Sequence, residues 1–403
     1  MKWEKVKLGE LYEVHNGLSK AGKFFGEGYP FLTFSTVFNN YFIPKQITDL
    51  VQSTEKEQES YSIRRGDVFV TRTSETSDEL GMSCVALKDY PMATYNGFTK
   101  RMRPITNRVF PEYIGYYMRL PSFRGEFRAF STMTTRASLR NEDLLGLEVK
   151  LPSIEIQKQI AGILSVYDDL IENNQKQIKL LEEAAQRLYK EWFVDLRFPG
   201  HENTKIVDGV PEGWSVYPFS SKVDIMSGGT PKTSIPDYYN GKIPFYTPKD
   251  SDGAFFAYKT QMNITEGGLK NCNSRLYPPK TVIITARGTV GKTTILAVPM
   301  AMNQSCYALK MKENDAPYYL FFALNNEIKA LQTMANGGVF NTIIGKTFDS
   351  INIQIPKDPL IYGFEETVRP FMEQIKNKLQ ANSKLVEARD RLLPKLMSGE
   401  VKV

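Results

Sequence analysis

Side chains suited to metal binding or acid–base work are scarce in this chain. Two histidines, His15 and His201, and three cysteines, Cys84, Cys272 and Cys306, are spread over 403 residues. Neither histidine belongs to a cluster, so a histidine-based acid–base centre or zinc site has almost nothing to build on. The cysteines are odd in number and widely separated, which argues against a disulfide framework or a cysteine metal site and fits a reducing cytoplasm. No run of about 18 apolar residues occurs, and the opening MKWEKVKLGE has no apolar stretch behind its charges. The chain is therefore expected to be neither secreted nor membrane-spanning, and no cofactor is expected. With 41% hydrophobic and 24% charged residues, the composition is that of an ordinary folded protein with room for two or three domains.

Several fragments of known catalytic patterns are present without their context. ARGTVGKT (286–293) puts Gly291, Lys292 and Thr293 where a P-loop would cradle phosphate. A P-loop must open into a helix, whereas TTILAVP (293–299) is β-branched, apolar and stopped by Pro299, so a hairpin is the better reading. Phe24, Gly26 and Gly28 spell the F-x-G-x-G of adenosylmethionine loops but run straight into the strand-like YPFLTF (29–34). The Asn/Asp-Pro-Pro-aromatic tetrapeptide of amino-methylases is absent. Glu327 and Lys329 form the E-x-K fragment of nucleases within a helix-like run that has no evident acidic partner. The chain reads as a binder and not as a catalyst.

What the sequence does hold is one unit written twice. From Ile160 the apolar positions step 4-3-4-3 through Leu164, Tyr167, Ile171, Asn174, Ile178, Leu181, Ala185 and Leu188 to Trp192. The pattern returns as Phe364, Val368, Phe371, Ile375, Lys378, Asn382, Leu385, Arg389, Leu392 and Leu396, with LEEAAQRL (181–188) aligning without a gap on LVEARDRL (385–392). Upstream of each helix the skeletons also match. Trp3 answers Trp214, Gly17 answers Gly228, YPF (29–31) answers IPF (243–245), GDVFVT (66–71) answers KTVIIT (280–285), PEYIGYYM (111–118) answers PYYLFFAL (317–324), and VKLP (149–152) answers IQIP (353–356).

The expected fold is α+β, with two mixed α/β domains at 1–152 and 199–357 and two long helices at 153–198 and 358–403 that pair as an antiparallel coiled coil. The first helix spans roughly 60 Å. The second is expected to be helical from near Gly363, to kink at Pro370 and to stop near Gly399. Matching the helix ends sets Ile160 against Leu396, Trp192 against Phe364, and Asn174 opposite Asn382. The two amides then either pair as a register device or each face solvent. The seam residues are Ile160, Leu164, Ile171, Asn174, Leu181, Leu188, Ile375, Asn382, Leu385 and Leu392.

The net charge is only +6, yet cations crowd stretches such as Arg64-Arg65 and Lys100-Arg101-Met102-Arg103. Polar loops carry side chains of the types that read base edges or hold phosphates: Arg72, Thr73, Ser74, Arg136 and Arg140 in the first half, and Lys249, Asp250, Arg287, Lys292, Asn341 and Lys346 in the second.

Taken together, LPSIEIQKQIAGIL (151–164), LLEEAAQRLYKEWFVDLRFPG (180–200), VPEGW (210–214), SGGTPK (227–232), ARGTVGK (286–292), NQSC (303–306) and RLLPKLMSGEV (391–401) resemble the DNA specificity subunit of type I restriction-modification systems. The resemblance covers essentially the whole chain. It implies two target-recognition domains, each reading one half of a split asymmetric site in double-stranded DNA, held apart by paired helices. It further implies two modification subunits that carry adenine methylation, with restriction subunits as an optional addition. The chain departs from its own repeat where Arg389 stands for Ala185, where Pro370 interrupts the early turns of the second helix, and where HNGLSK (15–20) stands for SGGTPK. A coiled-coil adaptor and a self-contained DNA methyltransferase or nuclease are the competing readings. Replacing Leu181 with Asp places an unpaired carboxylate in the seam, and a lowered melting temperature together with lost activity is the expected result.

Overall fold

A computed structural model describes residues 3–74, 79–129, 137–334, 343 and 345–403. They fall into two units, Met1–Leu170 with Leu385–Val403, and Ile171–Lys384. In the first, the strands Tyr12–Asn16, Thr99–Pro104, Val68–Thr71 and Ser83–Val85 form an antiparallel sheet in that order. Its centre is VFVT, a fully buried run of β-branched and aromatic residues that favours strand over helix. A smaller sheet orders Leu50–Val51, Phe25–Leu32 and Thr94–Tyr95. Glu4–Lys7 pairs antiparallel with Glu148–Leu151, which joins the start of the chain to the strand that leads into the first long helix, Ile154–Tyr189.

The second unit repeats this plan. Val223–Ser227, Cys306–Met311, Val282–Thr285 and Thr293–Leu296 follow the same antiparallel order, with Phe256–Ala257 added at the edge. Asn263–Ile264, Tyr239–Tyr246 and Ala301–Met302 form the smaller sheet, and Ser215–Pro218 pairs with Asn352–Ile355 ahead of the second long helix, Asp358–Ser398.

Matched residues make matched contacts. A side chain at Gly17 would strike the carbonyl of Asn96, and one at Gly228 would strike that of Asn303. Glycine is thus required by close backbone approach in both copies. The hydroxyl of Tyr113 donates to the carbonyl of Lys150 at 2.9 Å, and that of Tyr319 donates to the carbonyl of Gln354, the corresponding strand position.

Each unit contains the N-terminal part of one long helix and the C-terminal part of the other. In the first, Ile160, Ala161 and Leu164 share a buried cluster with Leu393, Leu396 and Met397. In the second, Ile178, Ala185 and Tyr189 are buried with Phe364, Val368, Met372 and Ile375, and the rings of Trp192 and Phe364 lie 5.9 Å apart. Asn174 Nδ2 donates to Asn382 Oδ1 at 2.8 Å. Leu181 and Leu188 pack against the same cluster, and Leu392 against that of the first unit. Ile171 and Leu385 are half-buried.

Two details differ from the heptad reading. The most buried positions move one residue along, to Met372 in place of Phe371 and to Tyr189 and Phe193 in place of Leu188 and Trp192, because the helices also pack on their domains and a straight helix drifts from a 3.5-residue repeat. The second helix begins at Asp358 rather than near Gly363, and runs without a break through Pro370, whose side is exposed. It stops at Gly399, which takes a left-handed φ of 77° beside Trp3.

One position of the repeat is polar in one unit and apolar in the other. In the first, Arg389 Nη1 donates to Asp168 at 2.5 Å, the Tyr116 hydroxyl donates to the same carboxylate at 2.5 Å, and the guanidinium lies over Tyr41. The equivalent residues in the second unit are Ala185, Met372 and Phe322, all buried in one cluster.

The helix Pro317–Met334 is capped from outside by Glu365, which is buried and accepts from the Tyr319 N–H at 2.8 Å. Burial pushes this carboxyl up to about 7, against the opposing pull of the backbone donors. A carboxyl whose folded value lies above its unfolded one binds its proton more tightly in the native chain. Its contribution is therefore greatest in acid and is lost as pH rises through the folded value. Thermal melting from about pH 5 to about pH 8 is expected to show stability falling in the wild type and a flatter profile in Glu365→Gln.

Candidate nucleic-acid interface

The loops after the matched strands Val68–Thr71 and Val282–Thr285 are closed by the same device. Thr71 Oγ1 donates to the Glu79 carbonyl and accepts from the Met82 N–H at 2.9 Å. Thr285 Oγ1 donates to the Thr289 carbonyl and accepts from the Lys292 N–H at 3.1 Å. The glycine before each closing residue, Gly81 or Gly291, is left-handed and donates to the threonine carbonyl. At the next position the Arg72 N–H donates to Phe98 and the Arg72 carbonyl accepts from Leu139. Ala286 repeats both bonds with Ser305 and Ile343. The loops differ in length and chemistry above a common base; the sequence pairs Thr71 with Thr285, but the loop closure made by their hydroxyls is seen only in the structure.

In the first unit Arg72 is half-buried, its Nη1 donating to Asn16 Oδ1 at 3.3 Å. Thr73 lies in a short strand, Thr73–Ser74, paired with Ala137–Ser138. Arg140 is exposed and ion-paired with Asp143 at 2.9 Å. Arg136 lies outside the described residues. The basic run Lys100–Arg103 is largely structural, because alternation along the strand sends its side chains to opposite faces. Arg103 pairs with buried Asp67 at 2.6 Å, and Arg101 donates to the Ser62 carbonyl at 2.9 Å and lies over Tyr95. Arg65 is likewise held by Glu112 at 2.8 Å. Lys100 points the other way. It is buried, its ammonium donates to Asn141 Oδ1, and burial followed by the Arg72 charge pulls its pKa down.

In the second unit Lys249, Arg287, Lys292 and Lys346 are exposed and make no ion pair with any described residue. Asp250 is not free for a ligand: its carboxylate accepts from Thr247 N–H and hydroxyl at 2.8 Å each and from Gln261 N–H at 2.7 Å, closing a turn. Asn341 lies outside the described residues. The segment after Lys292 is the strand Thr293–Leu296, so the P-loop-like stretch is the tip of a hairpin. Lys292 also reaches a cleft of about 600 Å³ lined by Arg187, Phe321 and Asn325. Among the described residues no helix is long and apolar enough to cross a membrane.

Residues 1–183 and 211–380 match the model of the type I restriction modification DNA specificity domain. The chain belongs to that family. Similar members include the type I restriction enzyme MjaIX specificity subunit of Methanocaldococcus jannaschii, 27% identical over all of this chain and 94% of the relative. The HindI specificity subunit of Haemophilus influenzae is 24% identical over 99% of both chains. Among solved structures, the S subunit of a type I restriction-modification system from M. genitalium has the same fold, with a TM-score of 0.57, 16% identity, and coverage of 98% of this chain and 96% of that one. The exposed cations on the second unit's loops are of the side-chain types that meet phosphates and base edges. Arg287→Glu is expected to weaken duplex binding and to flatten its salt dependence by about one in log–log slope. An unchanged affinity and slope would take Arg287 out of the interface.

Proposed function

We propose that this chain, the DNA-recognition subunit of a type I restriction-modification complex, reads a bipartite, asymmetric site in double-stranded DNA, one half with each unit. The observation that carries this reading is a duplicated scaffold with unlike chemistry on its loops. Arg72 occupies the backbone position that Ala286 holds in the second unit, Thr73 that of Arg287, and Met82 that of Lys292. Two readers with one framework but different side chains suit two different half-sites, since base readout rests on the identity of the side chain presented.

Methyl transfer on this reading belongs to two modification subunits that assemble with the chain in the cytoplasm, and restriction subunits join the same assembly. The chain contributes recognition and placement and supplies no catalytic group of its own. The two helix faces offered to partners are unlike, with Ile163, Val166 and Leu170 exposed on the first helix where Thr367, Pro370 and Gln374 stand on the second.

A single-molecule methylation map of DNA from cells expressing the chain with its companion methylase tests the proposal. A two-part adenine motif that disappears with the chain is expected. Unaltered methylation, with the methylase shown to be competent, would favour an adaptor role instead.

A further inference from the structure

The first unit holds an arrangement that neither its core nor its ion pairs explain. Lys100 and Asn16 face each other across the antiparallel strands Tyr12–Asn16 and Thr99–Pro104. Asn16 receives Arg72 Nη1 at 3.3 Å, and its backbone carbonyl is held by the Tyr95 hydroxyl at 3.1 Å. Lys100 donates to the exposed Asn141. The Arg72 Nε–H is buried and has no hydrogen-bond partner. Two cations thus share the base of one loop, flanked by two exposed amides.

Among the described residues no carboxylate forms an ion pair with either. Asp143, whose charge acts on Lys100, is committed to Arg140 at 2.9 Å. A buried cation without a counter-charge is costly, and a second cation beside it adds repulsion. Folding tolerates such a conflict chiefly where a ligand resolves it. The second unit has no such conflict: Ser227, Tyr307 and Ala286 stand in the places of Asn16, Lys100 and Arg72.

We infer that Arg72 and Lys100, framed by Asn16 and Asn141, form a seat for a backbone phosphate of bound DNA that is peculiar to the first unit. The inference rests on the DNA-recognition reading above and deepens it. A phosphodiester oxygen takes the places of Asn16 Oδ1 and Asn141 Oδ1, accepting from the half-buried guanidinium and from the ammonium, as the two exposed amides turn their N–H groups toward it. The seat carries no base specificity; it fixes the register of the first unit on the duplex.

The test uses the full chain assembled with its modification subunits, a mixed-sequence duplex and a series of salt concentrations. Lys100→Met removes the charge, and Asn141→Asp supplies the missing carboxylate from an exposed position. Both are expected to lower affinity about tenfold and to reduce the log–log salt slope by about one. Asn141→Asp is also expected to raise the melting temperature, an opposite movement of stability and binding that a merely structural lysine would not produce. Wild-type binding with unchanged affinity and slope in folded Asn141→Asp overturns the seat alone. A wild-type assembly that binds no duplex overturns the recognition reading itself. Protection from melting by inorganic phosphate that Lys100→Met abolishes, with DNA affinity untouched, overturns the phosphodiester assignment in favour of a free anion.

Discussion

The apolar stripe of each long helix has to be buried by residues from the far end of the sequence. Ile160 and Leu164 reach full burial in a cluster that includes Leu393, Leu396 and Met397, so the core of the first unit is completed by the last residues of the chain. Phe364, Val368 and Ile375 depend in the same way on Ile178, Ala185 and Tyr189. Burying side chains of this size stabilises by about 1.5–3 kcal/mol each, which makes the helix segments part of each unit's fold and not appendages to it. The Asn174–Asn382 bond adds little energy to this seam, but a one-turn slip would strand both amides among apolar neighbours.

Because the two helices are copies, the seams need features that tell them apart. The Arg389–Asp168–Tyr116 cluster in the first unit and the Ala185–Met372–Phe322 contact in the second do this by chemistry. Exchanging helix segments between the two would bury Arg389 against Met372 and leave Asp168 facing Ala185, each a desolvated charge without its partner. The polar cluster is thus worth more as a discriminator than as a source of stability.

Much of this was open to a reader of the sequence. The 4-3 spacing, the matched Gly17 and Gly228, and the paired Pro-aromatic and VKLP-like tails defined the duplication, since they report backbone approach and burial that recur with the fold. The loops resisted. Met82 and Lys292 occupy one structural position at the ends of loops of different length, so no alignment of residue types could place them together. The run Lys100–Arg103 looked like one basic surface, yet strand alternation divides it, committing Arg101 and Arg103 to Ser62 and Asp67 and leaving Lys100 on the other face. Asp250 had the composition of a ligand and the role of a turn closure, a distinction that lies in three backbone and hydroxyl donors.

The two units also present positive charge in physically different ways. Arg72 and Lys100 are held by strands and by amide partners, so little side-chain freedom remains to be lost when an anion arrives. Arg287, Lys292 and Lys249 stand in solvent with their rotamer freedom intact, and ordering each costs on the order of 1 kcal/mol. On the proposed reading a phosphate is met by the first arrangement with only the Asn16 and Asn141 amides turning, whereas the freer cations of the second can follow a contact whose position varies along the groove. Fixing register with one reader and adapting with the other is a division that identical copies could not make. It follows from the divergence of a few loop residues on a base that Thr71 and Thr285 keep the same.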